Sequence, residues 1–361
     1  MSRIAFGGYE LLERIGDGGM AEVFRARVRG HHGFAKIVAI KRIRPQYAGD
    51  RDFIAMFIDE ANIAVRLNHA NIAKIYDLGR VGDQYYIAME HVHGRDLKTI
   101  FTRCAKTRGP MPIPEACYVA MKLCDGLDYA HARRDLHGES LQLVHRDISL
   151  HNVLLSFDGE VKIIDFGVAK ALGRMSRTRT GTIKGKLAYM SPEQMRGLPV
   201  DGRSDIFAAG IVMYEMLAGR RLFMSKSPRE TIQRIRSGKV VPLRTYNQRI
   251  PAALERIVLK ALSVHPDDRF QTAGALGNEL HRFAFFHRQQ CSRSRIASWL
   301  RAEFHTELVD ENARLDRFKA IQPTPLPGPL PQADDAAPEP EVVATKVGWA
   351  PAPNRAGVCY R

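Results

Sequence analysis

Short apolar runs open the chain. Residues 9–15, 21–28, 37–43 and 84–89 have the length and the β-branched and aromatic content of strands. One stretch breaks the series: residues 51–67 place apolar side chains at three- and four-residue spacing, the period of an amphipathic helix. The pattern up to about residue 86 therefore predicts a small sheet carrying one long helix. From residue 96 to about 286 the helical period dominates, over 115–132, 204–218, 229–237, 252–262 and 272–285, which predicts a larger helical lobe. Residues 292–321 predict one or two further amphipathic helices, with Trp299 and Phe304 as a stripe packed on that lobe. After residue 321 the chain turns to proline and alanine and cannot bury enough apolar surface to fold alone, so a disordered tail is expected over 322–361. The longest apolar run, 206–217, contains Glu215 and falls short of the roughly 20 residues that a spanning helix needs. It reads as a core helix, and no membrane span or signal peptide is expected.

Composition narrows the class. A hydrophobic content of 45% excludes a chain disordered throughout. The balance of 54 Lys and Arg against 39 Asp and Glu gives a formal charge of +15. That charge suits nucleic acid, an anionic surface or acidic protein substrates without choosing among them. The tail holds few of the basic residues, so the excess sits on the folded part. Cys104, Cys117, Cys124, Cys291 and Cys359 are scattered, without metal-ligand pairing, which fits inert thiols in a reduced, cytoplasmic compartment.

Chemistry enters with Ile15-Gly16-Asp17-Gly18-Gly19-Met20-Ala21-Glu22-Val23, set between two predicted strands, where glycines let a hairpin backbone approach phosphates. Taken alone it is better read as an ordinary glycine-rich hairpin. Its strand context argues against a dinucleotide fold, whose glycine fingerprint opens a helix. Val38-Ala39-Ile40-Lys41 follows on the next predicted strand, and Glu60 lies in the predicted helix. The pair suits a lysine on phosphates held by a helix carboxylate, or a surface salt bridge. Met89-Glu90-His91-Val92 ends a strand at the lobe boundary, where backbone groups could meet a base edge. The strongest signal is His145-Arg146-Asp147-Ile148-Ser149-Leu150-His151-Asn152, followed by Asp165-Phe166-Gly167 and by Ser191-Pro192-Glu193.

In this ordered set, over roughly residues 9–283, the chain resembles the bacterial eukaryotic-like, or Hanks-type, serine/threonine protein kinases. The resemblance implies an α+β, two-lobed protein-kinase fold. It has a β-rich N-lobe over 9–90 and a helical C-lobe over 93–286, with an arm before (1–8), a helical extension after (287–321) and the tail. It implies that ATP and Mg2+, with Mn2+ as a substitute, are used. Ile15, Gly16, Asp17, Gly18, Gly19, Met20, Ala21 and Val23 would cover the nucleotide, and Ala39, Met89, Glu90, Val92 and Leu154 would complete its site. Lys41, fixed by Glu60, would bind the α- and β-phosphates. Asp147 would orient the acceptor hydroxyl and take its proton, and Asn152 and Asp165 would hold the metal. Asp205 and Gly210 match the family's buried helix, and Arg269 would pair with Glu193.

Three positions depart from the pattern. Ala21 stands at the third glycine, Ser149 where such kinases carry a lysine near the γ-phosphate, and Lys186 where they carry a threonine. Lys186 could return the missing cation from another part of the chain, or could be a solvated lysine in a basic loop. Thr178, Thr180 and Thr182, in a segment crowded with cations, are candidate phosphorylation sites, by autophosphorylation. Expected partners are protein substrates, acidic near the target hydroxyl, and a partner for the tail. Nucleic acid is not expected. A nucleotide-binding scaffold, or pseudokinase, without phosphoryl transfer is the alternative. Residues 132–143 are expected to form a surface loop.

Overall fold

Consecutive strands joined by short turns pair with their neighbours, and here they build one curled antiparallel sheet. The computed structural model describes residues 4–28, 36–107, 109–135, 137–166 and 186–320. Strands β1 (Ile4–Phe6), β2 (Tyr9–Asp17), β3 (Ala21–Val28), β4 (Ile37–Ile43), β5 (Ile75–Val81) and β6 (Gln84–Glu90) lie in the order β1-β2-β3-β4-β6-β5. Two strands of this sheet went unforeseen, as did the three short strands of a second sheet. Ile4–Phe6, inside the expected N-terminal arm, pairs with β2 at the sheet edge. Ile75–Val81 is an edge strand too polar to show a clear alternation, bulged between Ile75 and Asp77.

Alternation along β4 sorts its side chains. Val38 and Ile40 join Phe6, Leu11 and Ala26 on one face. Ile43 joins Ile87 on the other, under helix α1 (Arg51–Val65). The Asp50 carboxylate accepts from the Phe53 amide at 3.0 Å and so caps α1. The buried stripe of α1 runs Phe53, Phe57, Glu60, Ala61, Ala64, a helical period that carries one acid into the interior beside apolar neighbours.

The second lobe begins with β7 (Gly94–Asp96), α2 (Leu97–Thr107) and α3 (Ile113–His131). It continues with β8 (Val153–Ser156), β9 (Val161–Ile163), α4 (Pro192–Arg196), α5 (Gly202–Ala218), α6 (Pro228–Ser237), α7 (Ala252–Ala261) and α8 (Ala273–Phe286). Strands β7, β8 and β9 form a small separate sheet. Helix α5, the long apolar run of the sequence, is buried from Ser204 to Ala218. Its Glu215 is neutralised by Arg221 at 2.6 Å and accepts the Tyr189 hydroxyl at 2.7 Å. The segment after α3 turns through an isolated bridge between Arg134 and Ser140.

Two more helices follow, α9 (Arg293–Glu303) and α10 (His305–Ala320). Ile296, Leu300 and Phe304 sink into the large-lobe core, as expected of the extension. Helix α10 departs from that expectation: Leu315 and Phe318 pack on Leu12 of β2, with Ile37, so this helix reaches the small lobe. Leu308, in its first turn, still packs on the large-lobe core, whereas Leu315 and Phe318 further along are covered by the sheet. Burying large apolar side chains of this kind stabilises by about 1.5–3 kcal/mol each.

Candidate active site

The face of β4 that carries Ile43 also carries Lys41, which therefore points toward α1. Its ammonium donates to Glu60 Oε1 at 2.7 Å and to Asp165 Oδ1 at 2.9 Å. Burial alone would favour a neutral amine, but Asp165 and Glu60 together hold Lys41 charged, well above the usual lysine value. Burial pushes the Glu60 carboxyl up to about 7, Lys41 pulls it back and Asp165 adds to the rise. Asp165 moves the other way: although burial opposes its charge, Lys41 keeps it below the ordinary carboxylate value.

The glycine-rich turn joins β2 to β3, with Gly16 opposite Val23 and Asp17 opposite Glu22. At Gly18 a Cβ would sit 2.9 Å from the Ala21 carbonyl oxygen, so the tight turn excludes a side chain there. Arg44, just past β4, ties this turn down by pairing with Asp17 and donating to the Gly18 carbonyl at 3.0 Å. Nothing in the sequence distinguished that arginine from the many others. Ile15 is exposed on β2, Val23 lies opposite Lys41, and Ala21 is buried opposite Ile43. Met20, beside Gly19, turns toward the apolar cluster of Ile43 and Phe53. Ala39 is buried opposite Met89, at the strand end that leads through Glu90 to Val92. Glu90 Oε1 meets Lys162 of β9 at 2.8 Å, and Leu154 lies on β8 opposite Lys162.

The loop from His145 to Asn152 is fastened from below. Buried Asp205 of α5 accepts the amides of His145 and Arg146, each at 2.8 Å, and its Oδ2 also meets His131 Nε2 at 2.8 Å. These bonds hold Arg146 at a φ of 64°, a left-handed conformation that side chains avoid. Asp165 has a φ of 59° and shares that strain. The His145 ring packs edge-on against Phe166 at 4.5 Å, and its Nε2 lies 3.0 Å from the Ile164 carbonyl. The Ile164 amide donates to the Asn152 carbonyl at 3.0 Å, joining the loop to the strand that delivers Asp165.

At the loop's centre the Asp147 carboxylate is buried, and Asn152 Nδ2 donates to its Oδ2 at 3.0 Å. Lys186 Nζ donates to the same oxygen at 2.6 Å. Ser149, buried, offers no cation of its own. With its nitrogen donating to the Asp147 carbonyl at 2.8 Å and to its carboxylate at 3.0 Å, the Asn152 amide keeps its oxygen as an acceptor. Asp165 and Asn152 thus offer hard oxygen donors of the kind that suit magnesium shared with phosphates. Among the described residues no group of three or more His, Cys, Asp or Glu forms a separate metal cage.

Two clusters therefore form: Lys41, Glu60 and Asp165, and Asp147, Asn152 and Lys186. The expected Glu193–Arg269 pair is present as a buried fork, with nitrogen–oxygen distances of 2.7 and 2.8 Å. Thr178, Thr180, Thr182 and Gly167 lie outside the described residues, as does the tail.

Residues 9–280 match the family model of the protein kinase domain. The chain is 38% identical over 319 residues to the tyrosine-protein kinase MasK of Myxococcus xanthus, covering 88% of this chain and 49% of MasK. It is 38% identical over 267 residues to the serine/threonine-protein kinase PrkC of Bacillus subtilis, covering 74% of this chain and 39% of PrkC. Among solved structures it is similar to the crystal structure of the PknI kinase domain of Mycobacterium tuberculosis. The TM-score is 0.57 and the identity 26%, over 77% of this chain and 97% of that one. The chain spans half or less of the length of these curated relatives.

Proposed function

The chain belongs to the protein kinase family, and from that premise we propose that it transfers the γ-phosphate of ATP to serine and threonine hydroxyls of proteins. The single observation that carries this reading is the part-buried Lys41–Glu60–Asp165 cluster together with the Asp147–Asn152 pair, a lysine, a base and two metal donors delivered by separate elements. In such a site the chemistry needs positioning and charge compensation rather than covalent help. Lys41 would hold the α- and β-phosphates. Magnesium held by Asp165 and Asn152, when bound, would offset phosphate charge. Asp147 would align the acceptor hydroxyl and take its proton as the new oxygen–phosphorus bond forms and ADP leaves with the bridging oxygen.

Lys186 would serve as the cation that Ser149 does not supply. Its 2.6 Å contact to Asp147 supports this: the ammonium stands at the base itself, where the incoming phosphate and hydroxyl must meet. Phosphate on Thr178, Thr180 or Thr182, placed by the enzyme on itself, would offset the cations of that segment. Mass spectrometry after incubation with ATP reads those three sites directly. The net positive charge favours acidic sequence around the target hydroxyl. Free cysteines at 104, 117, 124 and 291 suit a reducing cytoplasm. Residues 322–361 would engage a partner.

A tyrosine acceptor is the second reading, favoured by the MasK match, which covers more of this chain than the PrkC match. Incubation with labelled ATP and magnesium, with Asp147→Asn as the blank, followed by separation of the phosphoamino acids, tests both. Label on serine or threonine supports the first reading and label on tyrosine the second. No label above the blank leaves the chain a nucleotide-binding scaffold.

A further inference from the structure

Helix α10 is attached to both lobes at once. Near its start Glu307 pairs with Arg103 of α2, in the large lobe. Near its end Leu315 and Phe318 cover Leu12, and Arg27 of β3 donates to the Phe318 carbonyl at 3.0 Å, in the small lobe. Midway stands Glu311, only 4% exposed. Its Oε2 accepts from Arg95 of β7 at 2.7 Å, while its Oε1 accepts from Arg25 of β3. Arg25 also pairs with Glu13 and donates to His91 Nε2 at 3.0 Å, and His93 Nε2 lies 3.8 Å from Glu311 Oε1. The two arginines reach the active site through strand register. Arg25 lies opposite Ala39 and two residues from Val23, which lies opposite Lys41. Arg95 lies opposite Leu155, three residues after Asn152.

We propose that α10 is an interlobe brace and that Glu311 is a positioning residue, holding the Lys41 half of the site in register with the Asn152 half and so setting the affinity for nucleotide. A carboxylate of fixed reach satisfies both guanidinium groups at one relative setting of the lobes. Rotation about the 89–92 connection separates Arg25 from Arg95 and strips a buried charge of a partner. A rigid helix about 24 Å long, at ~1.5 Å per residue, leaves little slack. Helices α9 and α10 lie beyond the matched kinase domain, which ends at residue 280. Because 280 residues reach the end of the matched kinase domain, the 319-residue alignment with MasK necessarily runs into α9 and α10.

This inference rests on the nucleotide site proposed above, yet it requires only binding, not transfer. Calorimetry with MgADP on the full chain should show Glu311→Gln weakening affinity three- to tenfold. KM for ATP should rise by a similar factor, with kcat changed less than twofold. Arg301→Ala, which breaks an exposed contact from α9 to Asp158 at 3.1 Å within the large lobe, should change neither. Unchanged affinity in a folded Glu311→Gln, or a fall in kcat at constant KM, overturns the brace. In the unmutated chain, MgADP should slow amide exchange over 305–318 more than over 293–303, because linkage is reciprocal. Equal protection of the two segments overturns the proposal even if the variant does not fold. A chain that binds MgADP without transferring phosphate refutes the kinase reading alone, and one that binds no MgADP refutes both.

Discussion

Asp147 carries the heaviest expectation at the scale of single residues. Asp147→Asn should lower kcat by about 10²–10⁴, the usual contribution of a positioned base, while MgADP affinity stays near that of the parent. Lys186 and Ser149 are tested together. Lys186→Thr should reduce kcat by roughly 10²-fold, Ser149→Lys should matter little, and the double variant should recover most of the loss, a strong departure from additivity. Full turnover in Lys186→Thr alone would sink the exchange. His91 gives a pH signature. Burial first, and the Arg25 guanidinium beside it second, push its imidazole down to about 4. Its Nε2 accepts from Arg25 and so must stay unprotonated. The folded state resists a proton that the unfolded state takes up near 6.5. The resulting stability is present above pH 6.5 and is lost as pH falls through about 4. Denaturant midpoints for His91→Gln should therefore change less than those of the parent between pH 7 and pH 5. The site was legible in the sequence where spacing encodes convergence, as for Lys41, Glu60, Asp147, Asn152 and Asp165. Arg44 and Glu311 were not, because a lone charge in a charged chain carries no pattern.

Elements show the same division. Periodicity found α1, α5 and the strands flanking the glycine turn, since each buries one face or all of itself. It missed β1 and β5, edge strands whose exposed sides dilute the alternation, and also β7, β8 and β9, each of three or four residues and too short to show a period. It also placed the extension on one lobe, because the stripe around Phe304 is stronger than the short one formed by Leu315 and Phe318. Buried ion pairs matter differently from surface ones at this scale. The Arg269 side chain is fully buried against Glu193, and Arg269→Ala should cost about 3–5 kcal/mol by leaving that carboxylate without its partner. Arg234→Ala, losing an exposed, solvent-screened pair with Glu230 on α6, should leave stability nearly unchanged. Chemical denaturation of the two variants checks the contrast.

Across the whole molecule, the proposed function depends on two lobes contributing incomplete halves. The small lobe brings Lys41 and Glu60, the large lobe brings Asp147, Asn152 and Asp165, and the only described bonds between these sets run through Lys41 and Asp165. Deleting residues 322–361 should leave the melting temperature within about 2 °C of the parent, since the matched domain and both extension helices precede the cut. The most direct measurement is a crystal structure of the full chain with a non-hydrolysable ATP analogue and magnesium. The account predicts the base at the 89–92 connection, Lys41 on the α- and β-phosphates, metal on Asp165 and Asn152, and the γ-phosphate beside Asp147 and Lys186. An empty cleft, or a nucleotide bound with Asp147 turned away from its terminal phosphate, would contradict it.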